Sequence, residues 1–335
     1  MRAVIQTKYG LPDVLQLMDI EKPVPGNIEV LVKIHASSLN QGNLVLLKGK
    51  PFAARFAFGL SKPKYAVPGG DFAGRIEAIG KDVTQFKTGD EVFGDLSSSG
   101  WGAFSEYAAV PEHALALKPA NLSYEEAAAL PMAGVTALQA LRDKGNIKLG
   151  QKVLIYGASG GVGTFFIQLA KHYGAEVTAV CSQKHKHSIE QHGADYIIDY
   201  QGADFSLAPR HYDVIIGVNG FQPLSIYKQA LKSGGVFVHV GGSGAQLSRV
   251  LLFGPLISKM SSKRFSSFLH RPKQEDLVLL KEIAEEGGIK PVIVRNFMLE
   301  DIQEAFHYFN KGHIGGKVII QISALDENDL HERTP

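Results

Sequence analysis

The 335-residue chain reads as α/β: a doubly wound parallel sheet joined to a second, mostly β domain. Three observations predict this. A glycine-rich turn, Gly157-Ala-Ser-Gly-Gly-Val-Gly163, stands between an apolar strand and a helical segment. Short apolar strands alternate with helical segments over residues 150–240. Before residue 118 the strands, such as 30–34 and 72–79, are instead broken by glycine and proline.

The length favours two domains over a single core. An apolar fraction of 45% and a charged fraction of 20% are those of an ordinary globular chain. A formal charge of +2 and the lack of a long basic stripe predict no nucleic-acid partner. The single cysteine, Cys181, excludes an intramolecular disulfide and a cysteine-rich metal site, which fits a reducing compartment. Met1 to Gly10 lacks the basic and apolar regions of a secretory signal. No stretch of about 18 apolar residues predicts a membrane span. The expectation is a cytoplasmic enzyme.

Along the chain, residues 1–120 form the β-rich domain. The segment from Lys50 to Tyr65 carries four aromatics and Pro63, and reads either as a flap or as an extra helix. Ser123-Tyr-Glu-Glu126 has capping-box spacing and opens an alanine-rich helix. The second domain spans 121–265, with strands at 153–156, 176–180, 196–198, 214–218 and 236–240. Val250-Leu-Leu-Phe253 reads as an edge strand or as core. Helices over 274–286 and 299–310 precede a strand over 317–322, and the polar tail 326–335 is expected to fray.

The turn is the sharpest signal. Glycines let a backbone approach a pyrophosphate, and the following helix offers free N–H groups and partial positive charge. The usual first glycine of G-x-G-x-x-G is Ala158, followed by Gly160 and Gly163. Ser159, Gly160, Gly161, Val162 and Gly163 are therefore candidate phosphate binders. The second strand then ends Val180-Cys-Ser-Gln-Lys184 without a carboxylate. An acid there would take ribose hydroxyls and repel a 2′-phosphate. Ser182 with Lys184 or Lys186 instead favours NADPH over NADH. The bland alternative for Lys184–His187 is a solvated helix face, and for Cys181 simple packing.

Many short motifs then fall in one family's order: Ala36–Asn40, Pro68–Gly74, Gly89–Val92, Gly102–Tyr107, Ala127–Pro131, Gly134–Leu138, the turn, Gly193–Asp195 and Gly315–Val318. On these the whole chain resembles the medium-chain dehydrogenase/reductase superfamily, in its zinc-free quinone oxidoreductase branch of zeta-crystallin-like and chloroplast-envelope types. The resemblance implies a Rossmann domain plus a GroES-like catalytic domain that residues 266–325 return to complete. It also implies a homodimer or homotetramer. It makes Asn40 the catalytic asparagine. Val45, Thr136, Tyr200, Asn219, Gly241, Gly242, Ser243, Phe268, Leu269 and Lys317 become cofactor-binding positions. Positions that hold catalytic zinc elsewhere in the superfamily read Asn40, Gly70 and Met132, none a suitable donor.

The expected function is zinc-independent hydride transfer from NADPH to a small apolar electrophile, a quinone or an α,β-unsaturated carbonyl. Such substrates spread the developing charge, so ordinary hydrogen bonds suffice. Asn40 is expected to orient the oxygen, against the alternative that it merely caps a loop. Tyr65, Trp101 and Phe104 are candidate pocket aromatics, and Asp71 is expected to make structural hydrogen bonds. The competing readings are a dedicated alkenal/alkenone reductase and a non-catalytic NADPH-binding protein.

Overall fold

The computed structural model describes residues 1–202, 212–242 and 244–322. In chain order its first strands and helices are β1 (Arg2–Gln6), β2 (Leu15–Asp19), β3 (Glu29–Ser38), α1 (Gln41–Lys48), α2 (Arg55–Phe58), β4 (Asp71–Ile79), β5 (Glu91–Asp95), β6 (Tyr107–Pro111), β7 (Leu115–Leu117), α3 (Tyr124–Ala129) and α4 (Pro131–Gln139). There follow β8 (Lys152–Tyr156), α5 (Gly163–His172), β9 (Glu176–Cys181), α6 (Lys186–Gln191), β10 (Tyr196–Asp199), β11 (Tyr212–Gly217), α7 (Leu224–Ala230), β12 (Leu231–His239), α8 (Gly244–Met260) and β13 (Arg264–Ser267). The last are α9 (Gln274–Glu285), β14 (Ile293–Met298), α10 (Ile302–Asn310) and β15 (Lys317–Gln321). Two compact units result. One comprises Met1–Met132, Pro272–Glu286 and the chain from Ile293; the other comprises Ala133–Arg271 and Gly287–Val292.

In the first unit a seven-stranded sheet runs β14-β15-β3-β4-β5-β7, with β6 also on β3. The chain's end completes it, because β15 pairs antiparallel with β3 and places Ile319 opposite Ser38. Helix α9 is tied in by Gln274, whose side-chain amide donates to the Glu112 and Leu115 carbonyls. Ser123 accepts the Glu126 N–H, while the Glu126 carboxylate accepts the Ser123 N–H, so the capping box forms as its spacing predicts. The helix it opens, α3, packs on β3, β4 and β15. It buries Tyr124 and three alanines, Ala127 to Ala129, against that sheet, and the division between units falls after Met132 rather than near residue 121. Val32, Ile34, Phe72, Phe104, Phe306 and Ile320 form the core, each large side chain contributing about 1.5–3 kcal/mol on burial. Phe104 is thus core, stacked edge-on against Phe306, and not a pocket wall. Segment 50–65 holds the short helix α2 after a 3₁₀ turn, Phe52–Ala54, and is otherwise irregular, so the extra helix of the two alternatives is present over four residues only.

In the second unit a six-stranded, wholly parallel sheet has the order β10-β9-β8-β11-β12-β13. From β8 the chain builds through β9 to β10 on one side, then returns to add β11, β12 and β13 on the other, which is the doubly wound pattern. Helix α5 buries Phe165, Phe166 and Leu169 and stops at Gly174, whose φ of +73° glycine adopts without strain. Strand β13 escaped the sequence because only Phe265 of its four residues is buried. Residues 250–253 lie in α8, with Leu251, Leu252 and Phe253 exposed. That run is not an edge strand, and only Val250 of it is core: four consecutive apolar residues carry no period that separates helix from strand. The tail 326–335 lies outside the described residues.

Candidate functional site

In the second unit the turn from Gly157 to Val162 joins β8 to α5. Gly157 has φ +89°, and a Cβ there would lie 2.8 Å from the Asn219 nitrogen. A Cβ on Gly163 would lie 2.5 Å from the carbonyl oxygens of both Gly157 and Ala158. Those two glycines are demanded by backbone packing. Gly160 differs, since a Cβ there would meet only the Gly157 oxygen at 3.8 Å and would otherwise project into open space. Among the described residues, the N–H groups of Ser159, Gly161, Val162 and Gly163 have no acceptor. Unpaired donors on a bare surface at a helix start suit an anion.

The neighbouring strand ends converge on this turn. Gly157 and Ala158 donate to the Val180 carbonyl, and Val218 and Asn219 donate to that of Tyr156. Ser182, half-buried, follows Cys181 directly, and Lys184 beyond it is exposed. Lys186 lies 3.9 Å from Glu190 one helical turn on, an arrangement that fits the solvated helix face better than a phosphate ligand. Tyr200 is exposed and bonded through its backbone to the Cys181 carbonyl. Gly241 donates to Gly217 and Phe268 to His239, which sets both at the carboxyl ends of β11 and β12. Gly242 and Leu269 are exposed, Thr136 is buried in α4, and Ser243 lies outside the described residues. Burial pushes the Cys181 thiol up to about 11, with Asp199 adding to the effect, so this cysteine is packed and not nucleophilic.

Sequence reasoning passed over two residues here. Asp199 stands opposite Cys181 on the adjacent strand, its carboxylate turned to the Gln201 N–H at 3.0 Å. His239 is buried at the end of β12, and desolvation lowers its pKa. Each is a lone polar residue at or near the end of an apolar run, which was the available signal.

In the first unit Asn40 follows β3 and precedes α1. Its side-chain oxygen accepts from Lys317 Nζ at 2.6 Å. Its amide nitrogen donates to Asp71 Oδ2 at 2.7 Å. A donor on one side and a carboxylate on the other fix the orientation of the amide. Asp71 Oδ2 also accepts from Ser38 Oγ at 2.7 Å and lies 3.5 Å from Lys317 Nζ, while Oδ1 accepts the Met132 N–H at 3.0 Å. Asp71 thus sits at the start of α4, where the helix dipole favours an anion. Burial pushes the Asp71 carboxyl up and the Lys317 ammonium down, and each charge opposes the shift of the other. The structural hydrogen bonds expected of Asp71 are present, but they converge on Asn40. Lys317 is in this cluster with Asn40, its ammonium committed to Asn40, Leu39 and Asp71. Val45, on α1, is half-buried.

The loop-cap alternative for Asn40 also has a test. Asn43 Oδ1 accepts the Asn40 N–H at 2.7 Å and the Asn40 side chain faces the Asn43 N–H in return, so Asn40 caps α1 through a reciprocal box as well as meeting Lys317 and Asp71. The positions that would hold a zinc ion do not suit one. Asn40 is occupied by Lys317 and Asp71. A Cβ on Gly70 would lie 3.4 Å from the Met132 methyl and 3.5 Å from the Trp101 ring, which fill the space a ligand side chain would enter. No group of three or more histidine, cysteine, aspartate or glutamate side chains is placed to hold a metal among the described residues.

Models of two protein families match the chain: an alcohol dehydrogenase GroES-like domain over residues 26–120, and a zinc-binding dehydrogenase over residues 192–320. A chloroplastic quinone oxidoreductase of Triphysaria versicolor is 35% identical over 96% of this chain and 98% of its own length. An NADPH-dependent alkenal/one oxidoreductase of Arabidopsis thaliana, also chloroplastic, is 32% identical over 96% of this chain and 79% of its own. The structure of a quinone oxidoreductase from Coxiella burnetii superposes with a TM-score of 0.85 at 30% identity, covering 96% of this chain and 99% of that one. The chloroplastic relatives do not support the cytoplasmic expectation, and no helix among the described residues is long and apolar enough to cross a membrane. The chain belongs to the medium-chain dehydrogenase/reductase superfamily, in its quinone oxidoreductase branch.

Proposed function

We propose that this protein is an NADPH-dependent oxidoreductase that reduces a small apolar electrophile, a quinone or an α,β-unsaturated carbonyl, without zinc. The observation that carries the reading is the glycine turn with its unpaired N–H groups, followed on the next strand by Ser182 and Lys184 where NAD sites place an acid. Ser159 to Gly163 would hold the pyrophosphate. Ser182 and Lys184 would hold the 2′-phosphate, as a hydroxyl donor and an ammonium. Val45, Thr136, Tyr200, Asn219, Gly241, Gly242, Ser243, Phe268 and Leu269 are the further cofactor positions the family pattern assigns. NADPH, when bound, supplies the hydride.

The chain's own part is to place and stabilise the electrophile's oxygen. One Asn40 N–H is committed to Asp71. The other has only Ser38 Oγ at 3.5 Å, the limit of a hydrogen bond, and is the donor for that oxygen. Charge developing on a conjugated oxygen is delocalised, so such a donor suffices where a simple ketone would need a Lewis acid. The exposed aromatics Phe52 and Phe56 suit an apolar substrate. We further infer self-association through α8, on which Leu252, Phe253, Leu256 and Met260 are all exposed large apolar side chains at helical spacing. Sedimentation of wild type and Leu252→Glu tests it, and a monomeric wild type overturns it.

Fluorescence titration with NADPH and NADH, followed by turnover of one enone and one quinone, tests the function. We expect NADPH to bind at least about tenfold more tightly, a difference of 1.4 kcal/mol. A preference for NADH, or binding without turnover of either electrophile, overturns the reading.

A further inference from the structure

We propose that Lys317 is the fixed cation of the carbonyl site: its ammonium polarises the Asn40 amide, and Asp71 locks that amide with one N–H left for the substrate oxygen. The inference rests on the reductase reading above and assigns Lys317 to the substrate side rather than to the cofactor. The antiparallel register of β15 on β3 carries Lys317 to the end of the strand that delivers Asn40. Its side chain is 2% exposed and that of Asp71 is fully buried, whereas Asn40 is 7% exposed. Of the three, Asn40 presents the most surface to a ligand.

The distances show where the charge is directed. Lys317 Nζ makes its shortest bond to the neutral amide oxygen, at 2.6 Å, and stands 3.5 Å from the Asp71 carboxylate. An ion pair formed for its own sake would close the second distance first. Withdrawing electron density from the amide oxygen strengthens the amide's conjugation and makes its N–H a better donor. Asp71 is fully engaged by Ser38, Asn40, Met132 and Lys317. Ser38, having given its hydroxyl hydrogen to Asp71, offers the second Asn40 N–H only a distant oxygen. The cluster therefore leaves one polarised donor unspent. With Met132 and Trp101 filling the space beside Gly70, the positive charge next to Asn40 is an ammonium supplied by the fold. Lys317 and Asp71 are positioning residues, and Asn40 alone of the three is placed to touch the substrate.

The test compares wild type, Lys317→Arg and the double variant Lys317→Met/Asp71→Asn, which removes the two charges of this pair together and leaves the nearby buried Asp95 in place. Each is measured for NADPH affinity by fluorescence, for thermal melting, and for kcat and KM across para-substituted aryl vinyl ketones. For the double variant we expect cooperative melting, unchanged NADPH affinity and a kcat roughly fivefold lower at similar KM, less than the loss of the Asn40 donor itself. We also expect a steeper dependence of rate on the ring substituent, because the enolate charge is then less well stabilised. Lys317→Arg should recover most of the rate and the wild-type slope. A double variant with wild-type kcat and slope overturns the proposal. Should that variant fail to fold, Lys317→Gln/Asp71→Asn keeps a hydrogen-bond donor to Asn40 without either charge, and a wild-type slope there overturns it equally. Failure of the wild type to reduce any enone or quinone refutes the reductase reading, and this inference with it. Active wild type with insensitive variants refutes the inference alone.

Discussion

The glycine turn of one unit and the Asn40 cluster of the other are built in opposite ways. The turn is defined by side chains it lacks: Gly157 and Gly163 admit backbone atoms where any Cβ would collide, and four N–H groups are left unpaired. The cluster is defined by side chains that saturate one another, with a carboxylate, an ammonium, a hydroxyl and an amide interlocked in the interior. A backbone-built site tolerates a change of charge and fails on added volume. A charge-built site tolerates volume and fails when one partner goes missing. That contrast can be broken or sharpened by experiment.

The largest effect belongs to the cluster. Lys317→Met alone leaves Asp71 as an uncompensated buried charge and should cost about 3–5 kcal/mol in urea unfolding. Adding Asp71→Asn should recover most of that loss, since the remaining groups still hydrogen-bond one another. A single variant as stable as the double would mean that the charges are not coupled. The mirror experiment at the turn is Gly163→Ala. One methyl 2.5 Å from two carbonyl oxygens should cost about 1–3 kcal/mol as overpacking. By displacing the amide donors it should weaken NADPH binding about 100-fold, the worth of one or two charge-assisted hydrogen bonds. Retained affinity would show that the phosphates sit elsewhere.

The same contrast explains what could be read from the sequence. The turn is local, with strand, glycines and helix inside about thirty consecutive residues, so β8, α5 and β9 and the phosphate-binding candidates follow from spacing alone. The cluster is not local. Residues 38, 40, 71, 132 and 317 meet only because β15 pairs with β3 and β4 lies on the other side of β3. Spacing cannot reveal such a meeting, and Asn40 and Lys317 were singled out by family resemblance without any sign that they touch. The Met132 backbone N–H carries no sequence signal at all. Strand β13 and the helical state of residues 250–253 were hidden for a simpler reason, that a short or unbroken apolar run has no period to read.

Specificity for the extra phosphate tests the outer part of the turn, where charge does enter. Lys184 is exposed, so its replacement perturbs no packing. Lys184→Glu should weaken NADPH roughly 10- to 30-fold, as expected for losing and then reversing one contact to a phosphate, and leave NADH unchanged. The same substitution at Lys186, already beside Glu190, should have the smaller effect. If Lys186 proves the stronger determinant, the helix-face assignment fails and the 2′-phosphate lies further along α6.

The smallest effect is the most pointed. Asn40→Ala removes no charge, and of the capping box of α1 it leaves only the half that Asn43 supplies. It takes away the amide that joins Lys317 to Asp71, and with it the donor proposed for the substrate oxygen. Stability should fall by about 1–3 kcal/mol, the cost of leaving buried polar partners short of one hydrogen bond each. NADPH affinity should not change. Turnover of enones should fall about tenfold, less than an oxyanion donor usually contributes, because delocalisation in the substrate carries part of the charge. These outcomes separate the roles Asn40 could have. A structural asparagine would lower the unfolding midpoint and leave kcat alone. A cofactor ligand would alter the NADPH titration. A fall in kcat that grows as the substrate becomes less electrophilic identifies a group acting on the developing oxyanion, and a rate equal to wild type would remove Asn40 from the mechanism.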